Sequence, residues 1–133
     1  MSPVFADTSF YAAIVNRRDQ LHTRAKEAAA RLTGPVVTTE FVLIETANFC
    51  LEGPRRAVFL RLVANLRASP TVEIIPASAH DFQRGLDLFA ARLDKDWSLT
   101  DCISFSVMRE RGLTQALTGD RNFEQAGLIA LLL

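Results

Sequence analysis

Four of the chain's fifteen acids stand at junctions between apolar and polar sequence. Asp7 ends the apolar run Val4-Phe5-Ala6, and Asp120 follows Leu117-Thr118-Gly119. Asp101 comes three residues after Ser98. Glu45 lies one turn after Phe41, on or beside an apolar stripe, with Asn48 three residues on and on the same side. Each acid has an ordinary explanation. An Asp between strand and helix commonly serves as an N-cap. Asp101 after Ser98 has the spacing of a capping box, and a boundary glutamate can snorkel to solvent. The alternative is that the four converge. Carboxylates brought together repel, and some must take up protons unless a cation neutralises them. Mg2+ or Mn2+ suits such a set, being hard, oxygen-seeking and content to keep waters beside one or two carboxylates. A metal of this kind activates water and stabilises charge on a phosphoryl group in flight. No Gly-x-Ser-x-Gly elbow, Walker loop, dinucleotide fingerprint or Cys-x-x-Cys offers another chemistry.

The elements that must position these acids follow from the apolar pattern. Val4–Ala6 reads as a buried strand delivering Asp7 to a sheet edge, with a helix from Ser9 to about Asn16. A second helix turns Leu21, Ala25, Ala28, Ala29 and Leu32 inward and ends at Gly34-Pro35. Val36-Val37-Thr38-Thr39, β-branched throughout, is the second strand. A helix carrying Glu45 then runs through Glu52 to Gly53-Pro54, and another from Arg55 to Ala68 turns Ala57, Leu60, Val63 and Ala64 inward. Val72–Ile75 is the third strand; the helix after Ser78 has Phe82, Leu86, Phe89 and Ala90 as its expected buried stripe. Ser98 opens a helix to Arg111 that is apolar nearly all round and therefore buried. Gln115–Thr118 is the fourth strand, a helical turn follows, and the apolar run to Leu133 reads as an edge strand. Strands alternating with helices predict an α/β fold: a three-layer α/β/α sandwich around a mostly parallel sheet of about five strands.

Composition narrows the function classes. At 133 residues the chain is expected to form a single domain, 1–133, and 49% hydrophobic residues exclude disorder. Fifteen basic residues balance fifteen acids, which argues against a polybasic nucleic-acid coat but not against a local basic rim. Cys50 and Cys102 read as buried free thiols of a reducing compartment. His22 and His80 have no second ligand at metal spacing in the sequence, so zinc chemistry is not expected. No run approaches a membrane span or a signal peptide, and a cytoplasmic location follows as the expectation.

Val4-Phe5-Ala6-Asp7-Thr8-Ser9, Thr39-Glu40-Phe41-Val42-Leu43-Ile44-Glu45, Trp97-Ser98-Leu99-Thr100-Asp101 and Leu117-Thr118-Gly119-Asp120-Arg121-Asn122-Phe123 resemble the four acidic motifs of PIN domains. The similarity is greatest to the VapC-type toxins of prokaryotic toxin–antitoxin pairs. The resemblance implies a PIN-like fold and a Mg2+-dependent endoribonuclease cutting RNA, often tRNA or rRNA. It implies Asp7 and Asp101 as the principal metal ligands, Glu45 holding the metal or its waters, and Asp120 completing the acidic pocket. Thr8 and Thr118 would support these acids by hydrogen bonds. A homodimer is implied, and so is a small antitoxin whose C-terminal segment covers the active site. A histidine is frequent in the family where Asn122 stands, so a substrate contact does not carry over to that residue.

Two other readings remain beside this one. A catalytically silent module of the same fold could hold RNA or protein, but it would be free to lose the acids. A phosphoacceptor receiver domain normally pairs acids near its first strand and places a lysine after a late one, and Asp7 has no acidic neighbour. The Arg-rich faces with Arg17, Arg18, Arg55 and Arg56 read first as solvated surface, with guidance of RNA phosphates as the alternative.

Overall fold

A computed structural model describes residues 2–133. Strands β1 (Val4–Ala6), β2 (Val36–Thr39), β3 (Val72–Ile75), β4 (Gln115–Leu117) and β5 (Ile129–Ala130) form one sheet in the order β3-β2-β1-β4-β5. Every pairing is parallel, so the sheet is wholly rather than mostly parallel. All residues of β1 and β2 are buried, as strands covered on both faces require. Phe5 is central, paired with Val37 on one side and Ala116 on the other.

Helices α1 (Thr8–Val15), α2 (His22–Arg31), α3 (Glu40–Asn48) and α4 (Gly53–Ala68) fill the crossovers that step the chain outward from β1 to β3. Helices α5 (Ala79–Ala91) and α6 (Leu99–Arg111) return it across the sheet to β4, and α7 (Arg121–Gln125) leads on to β5. Parallel crossovers are right-handed, so opposite directions of travel put the two helix sets on opposite faces. That yields the three layers. Chain direction reverses between β1 and β4, and such a switch point opens a crevice at the C-terminal edge of the strands.

Four helices differ in detail from the sequence expectation. α3 stops at Asn48, and Gly53-Pro54 opens α4 instead of closing α3. Proline fits a first helical turn, where its missing N–H has no partner to lose. The inward side of α4 is Phe59, Leu62 and Leu66, with Val63 half-buried, while Leu60 is 61% exposed and Ala57 and Ala64 lie on the surface. On α5 the expected buried stripe is open: Phe82 is 42% exposed, Phe89 44%, and Leu86 and Ala90 are also on the surface. α5 meets α6 through Gly85 instead, where an added Cβ would lie 2.9 Å from the Ile103 Cα. On α2, Ala25 is buried, Leu21, Ala28 and Leu32 pack on the core, and Ala29 is exposed. α6 is buried over most of its circumference, as its composition requires. Cys50 and Cys102 are free and buried. No helix among the described residues is long and apolar enough to cross a membrane.

Candidate active site

Asp7, Glu45, Asp101 and Asp120 all line one open cavity of about 470 Å3 beside the switch point. Four different elements deliver them. Asp7 caps α1 directly after β1, Glu45 projects from α3, Asp101 lies in the first turn of α6, and Asp120 caps α7. The capping role and the convergence are therefore both real. Asp7 Oδ2 accepts from the Ser9 N–H at 3.5 Å, Asp120 Oδ1 from the Asn122 N–H at 2.8 Å, and Asp101 Oδ2 from the Ser98 N–H at 3.1 Å. A carboxylate has two oxygens, and one suffices for a cap.

Asp7 is held by a small hydroxyl network. Thr118 Oγ1 donates to Asp7 Oδ2 at 2.9 Å, and Ser9 Oγ donates to the same oxygen at 3.2 Å. Behind them, the Asp120 N–H donates to Thr118 Oγ1 and the Gly119 N–H to Ser9 Oγ, each at 3.1 Å. The two hydroxyls also lie 3.0 Å apart, so Thr118 donates to Asp7 while the Ser9 proton is shared between Asp7 Oδ2 and Thr118 Oγ1. Burial nonetheless dominates, and with the charges of Asp101 and Glu45 it pushes the Asp7 carboxyl up to about 7.

Asp101 is raised for the same reasons, burial first, then the nearby charges of Asp120 and Glu45. Opposing the rise are the Ser98 amide and Asn122, whose Nδ2 donates to Asp101 Oδ2 at 3.2 Å. Its register is fixed by an aromatic anchor in the loop before α6. Trp97 packs edge-on against Phe105, and Phe105 against Phe123, while the indole N–H donates to Gln125 at 3.1 Å. That stack ties the start of α6 to α7, and so Asp101 to Asp120.

Asp19 and Asp96 also line the cavity, making six carboxylates, and no Lys, Arg or His is among the lining residues. None of the ion pairs among the described residues uses any of the six. An acid held at about 7, more acids around it and no cation form a donor set that fits a hard divalent ion. Thr8 lines the same cavity with its buried hydroxyl unpartnered, so the side-chain support expected of Thr8 comes from Ser9. Thr118 does bond as expected. Only one group of three His, Cys, Asp or Glu among the described residues has ligand atoms within 4.8 Å of one another, and it lies elsewhere: His80, Asp81 and Glu110. An ion held by the pocket acids would keep waters among its ligands, as Mg2+ commonly does beside one or two carboxylates. His80 and Glu110 come from different helices, which is why the sequence showed no partner for His80. Glu110 is shared there with Arg84 at 3.1 Å.

Ser9, Asn122, Asp19 and Asp96 are the site residues that the sequence reading did not assign. Ser9 carries a signal in hindsight, a second hydroxyl two residues after a capping acid. Asp19 and Asp96 sit in charged loops and look like any solvated acid.

A PIN-domain family model matches residues 4–128. The chain belongs to the PIN-domain family. Among curated proteins it is 32% identical over 128 residues to the 23S rRNA-specific endonuclease VapC20 of Mycobacterium tuberculosis, covering 95% of each chain. The crystal structure of that sarcin–ricin loop cleaving toxin superposes with a TM-score of 0.87 at 29% identity, covering 96% of this chain and 97% of the other. VapBC2 from Rickettsia felis, solved bound to a DNA fragment from its promoter, shares the fold at a TM-score of 0.68 and 14% identity, with 97% of each chain covered. All four acids fall inside the matched PIN segment.

Proposed function

We propose that this PIN domain is a Mg2+-dependent endoribonuclease that hydrolyses RNA phosphodiester bonds and serves as the toxin of a VapBC-type pair. The observation that carries the reading is the cation-free cluster of carboxylates at the switch point, with Asp7 buried in it and pushed up to about 7. Likeness to an rRNA-specific endonuclease over nearly the whole chain supports it, and makes ribosomal RNA the first substrate to test, with tRNA next.

Asp7 and Asp101 would hold the ion, Glu45 would hold it or its waters, and Asp120 completes the acidic wall. Bound there, Mg2+ would polarise a water for attack and stabilise the charge that develops on the phosphoryl oxygens. The chain's own residues do the positioning. Ser9 and Thr118 fix the Asp7 carboxylate and favour its ionised form, and Asn122 does the same for Asp101. Fixed ligands keep their geometry as charge builds, which is where preorganised sites gain most of their rate.

The reading includes a homodimer and a small antitoxin acting in the cytoplasm. Folding leaves apolar surface that such partners would cover, with Phe82, Leu86 and Phe89 on α5 and Phe49 at the rim of the acidic cavity. The decisive test compares wild type with Asp101→Asn in calorimetric titration with Mg2+ and in incubation with ribosomal RNA. Metal binding and EDTA-sensitive cleavage by wild type alone is the expected result. Cleavage retained by Asp101→Asn would overturn the reading, and metal binding without cleavage would favour a silent binding module of the same fold.

A further inference from the structure

The acidic cavity poses an electrostatic problem for the substrate proposed above. Six carboxylates repel a polyanion, and a single divalent ion offsets that field only at the bond being cut. Affinity for RNA must come from another surface, close enough to act on the same strand.

Such a surface lies farther along α1, toward its C-terminal end. A cleft of about 480 Å3 opens between α1, α2 and α4, floored by Ile14, Val15, Ala29 and Val58. Arg17, Lys26 and Arg61 line it together with His22, and no acid is among its lining residues. None of the three cations takes part in an ion pair among the described residues. His22 Nδ1 lies 2.6 Å from the Ala13 carbonyl, which can only accept, so that nitrogen carries a proton and the ring is pinned to α1. In a chain with no net charge, basic and acidic side chains are thus sorted into two adjoining hollows.

The two hollows share a wall. Ala12 lines the acidic cavity and Ile14 and Val15 line the basic cleft; in the turn that follows, Asp19 faces the first and Arg17 the second. At 1.5 Å per residue, the eight residues of α1 separate Asp7 from the cleft by roughly 12 Å along the axis. A strand running along α1 can therefore meet both.

We infer that the cleft of Arg17, Lys26 and Arg61 binds the phosphodiester backbone of the RNA beside the bond that is cut. This rests on the ribonuclease reading. No Phe, Tyr or Trp lines the cleft for a base to stack on, and the one imidazole, His22, is tied to the Ala13 carbonyl, so the cleft contributes to affinity and not to sequence choice.

The test uses the full chain with Arg17→Gln, Lys26→Gln and Arg61→Gln combined. Binding is measured in the Asp101→Asn background, so that RNA survives, by anisotropy of a labelled single-stranded RNA over a range of KCl concentrations. Each phosphate contact on a single strand contributes about 0.7 to the slope of log K against log salt, so losing three should flatten that slope by roughly 2. The loss should be equal for unrelated sequences. In the active protein the same triple change should raise KM for a long RNA with little change in kcat, and leave Mg2+ binding and the melting curve unaltered. An Arg55→Gln/Arg56→Gln/Arg67→Gln protein is the charge-matched control and should keep a steeper slope. An unchanged slope in the triple variant, or an equal loss in the control, overturns the inference while leaving the nuclease reading intact. Loss of poly-glutamate binding with RNA affinity retained also overturns it, and assigns the cleft to an acidic peptide. Absence of RNA binding by the cleft-intact protein removes both the inference and the reading beneath it.

Discussion

Ser9 Oγ accepts the Gly119 N–H and lies 3.2 Å from Asp7 Oδ2 and 3.0 Å from Thr118 Oγ1. Its own proton is therefore shared between the carboxylate and the Thr118 hydroxyl, which also donates to that carboxylate. Ser9→Ala removes one of two hydroxyl donors to that oxygen and leaves Thr118 in place. A hydrogen bond to a charged group is worth about 1.5–3 kcal/mol, so cleavage at neutral pH should fall on the order of tenfold or more. The loss is also expected to move the acid limb of the pH–rate profile upward, because Asp7 loses a partner that favours its ionised form. A fall in rate with an unmoved acid limb would show that Ser9 acts only by packing. Asn122→Ala should act on Asp101 in the same direction. At this scale the sequence was legible for the acids, whose junctions with apolar runs mark them. Ser9 and Asn122 were harder, because what they do depends on which strand lies next to which. Thr118 reaches Asp7 across 111 residues, through the pairing of β1 with β4.

Among the elements, β1 to β4 were legible to within a residue, since β-branched and apolar runs bounded by turns leave little choice. The expected edge strand to Leu133 is only Ile129–Ala130. Helix faces were not. Periodicity says that a side of α5 is apolar but not what covers it, and the side that packs on α6 is marked by a glycine. A contact made by backbone leaves no hydrophobic signal. Gly85→Ala tests this assignment directly. Its Cβ would press on the side chain of Ile103 and stand 2.9 Å from that residue's Cα and N, so α5 must shift away from α6. Overpacking of this kind costs about 1–3 kcal/mol, which a chemical denaturation curve would register as a lower midpoint. Unchanged stability would mean that α5 stands farther from α6 than a glycine contact requires. The exposed edges of Phe82 and Phe89 carry a different expectation: Phe82→Ser with Phe89→Ser should alter self-association, read by analytical ultracentrifugation, by more than the loss of their part-buried area lowers the monomer's stability.

For the whole molecule, the cluster of acids is a source of instability that a cation relieves. In the folded metal-free protein Asp7 keeps its proton up to about pH 7, whereas an unfolded chain releases it near the ordinary 3.8. Between those values the folded state binds a proton that the unfolded state has lost, so stability declines as pH rises through the window and levels off above it. The slope from one such group is at most about 1.4 kcal/mol per pH unit. Asp101, raised in the same direction, adds to it. Asp7→Asn removes the main group while its side-chain oxygen can still accept from Thr118. In EDTA, the melting temperature of Asp7→Asn should therefore exceed that of wild type by a margin that grows between about pH 4 and 7, even as cleavage is lost. Adding Mg2+ should reverse the ranking. Metal binds the ionised carboxylates, so it should stabilise wild type most above pH 7, progressively less as Asp7 takes up its proton, and Asp7→Asn hardly at all. Melting curves of both proteins across this pH range, with and without Mg2+, separate the two effects. A margin that does not vary with pH would mean that Asp7 is ionised in the folded metal-free protein, and that its neighbours compensate the buried charge without a cation.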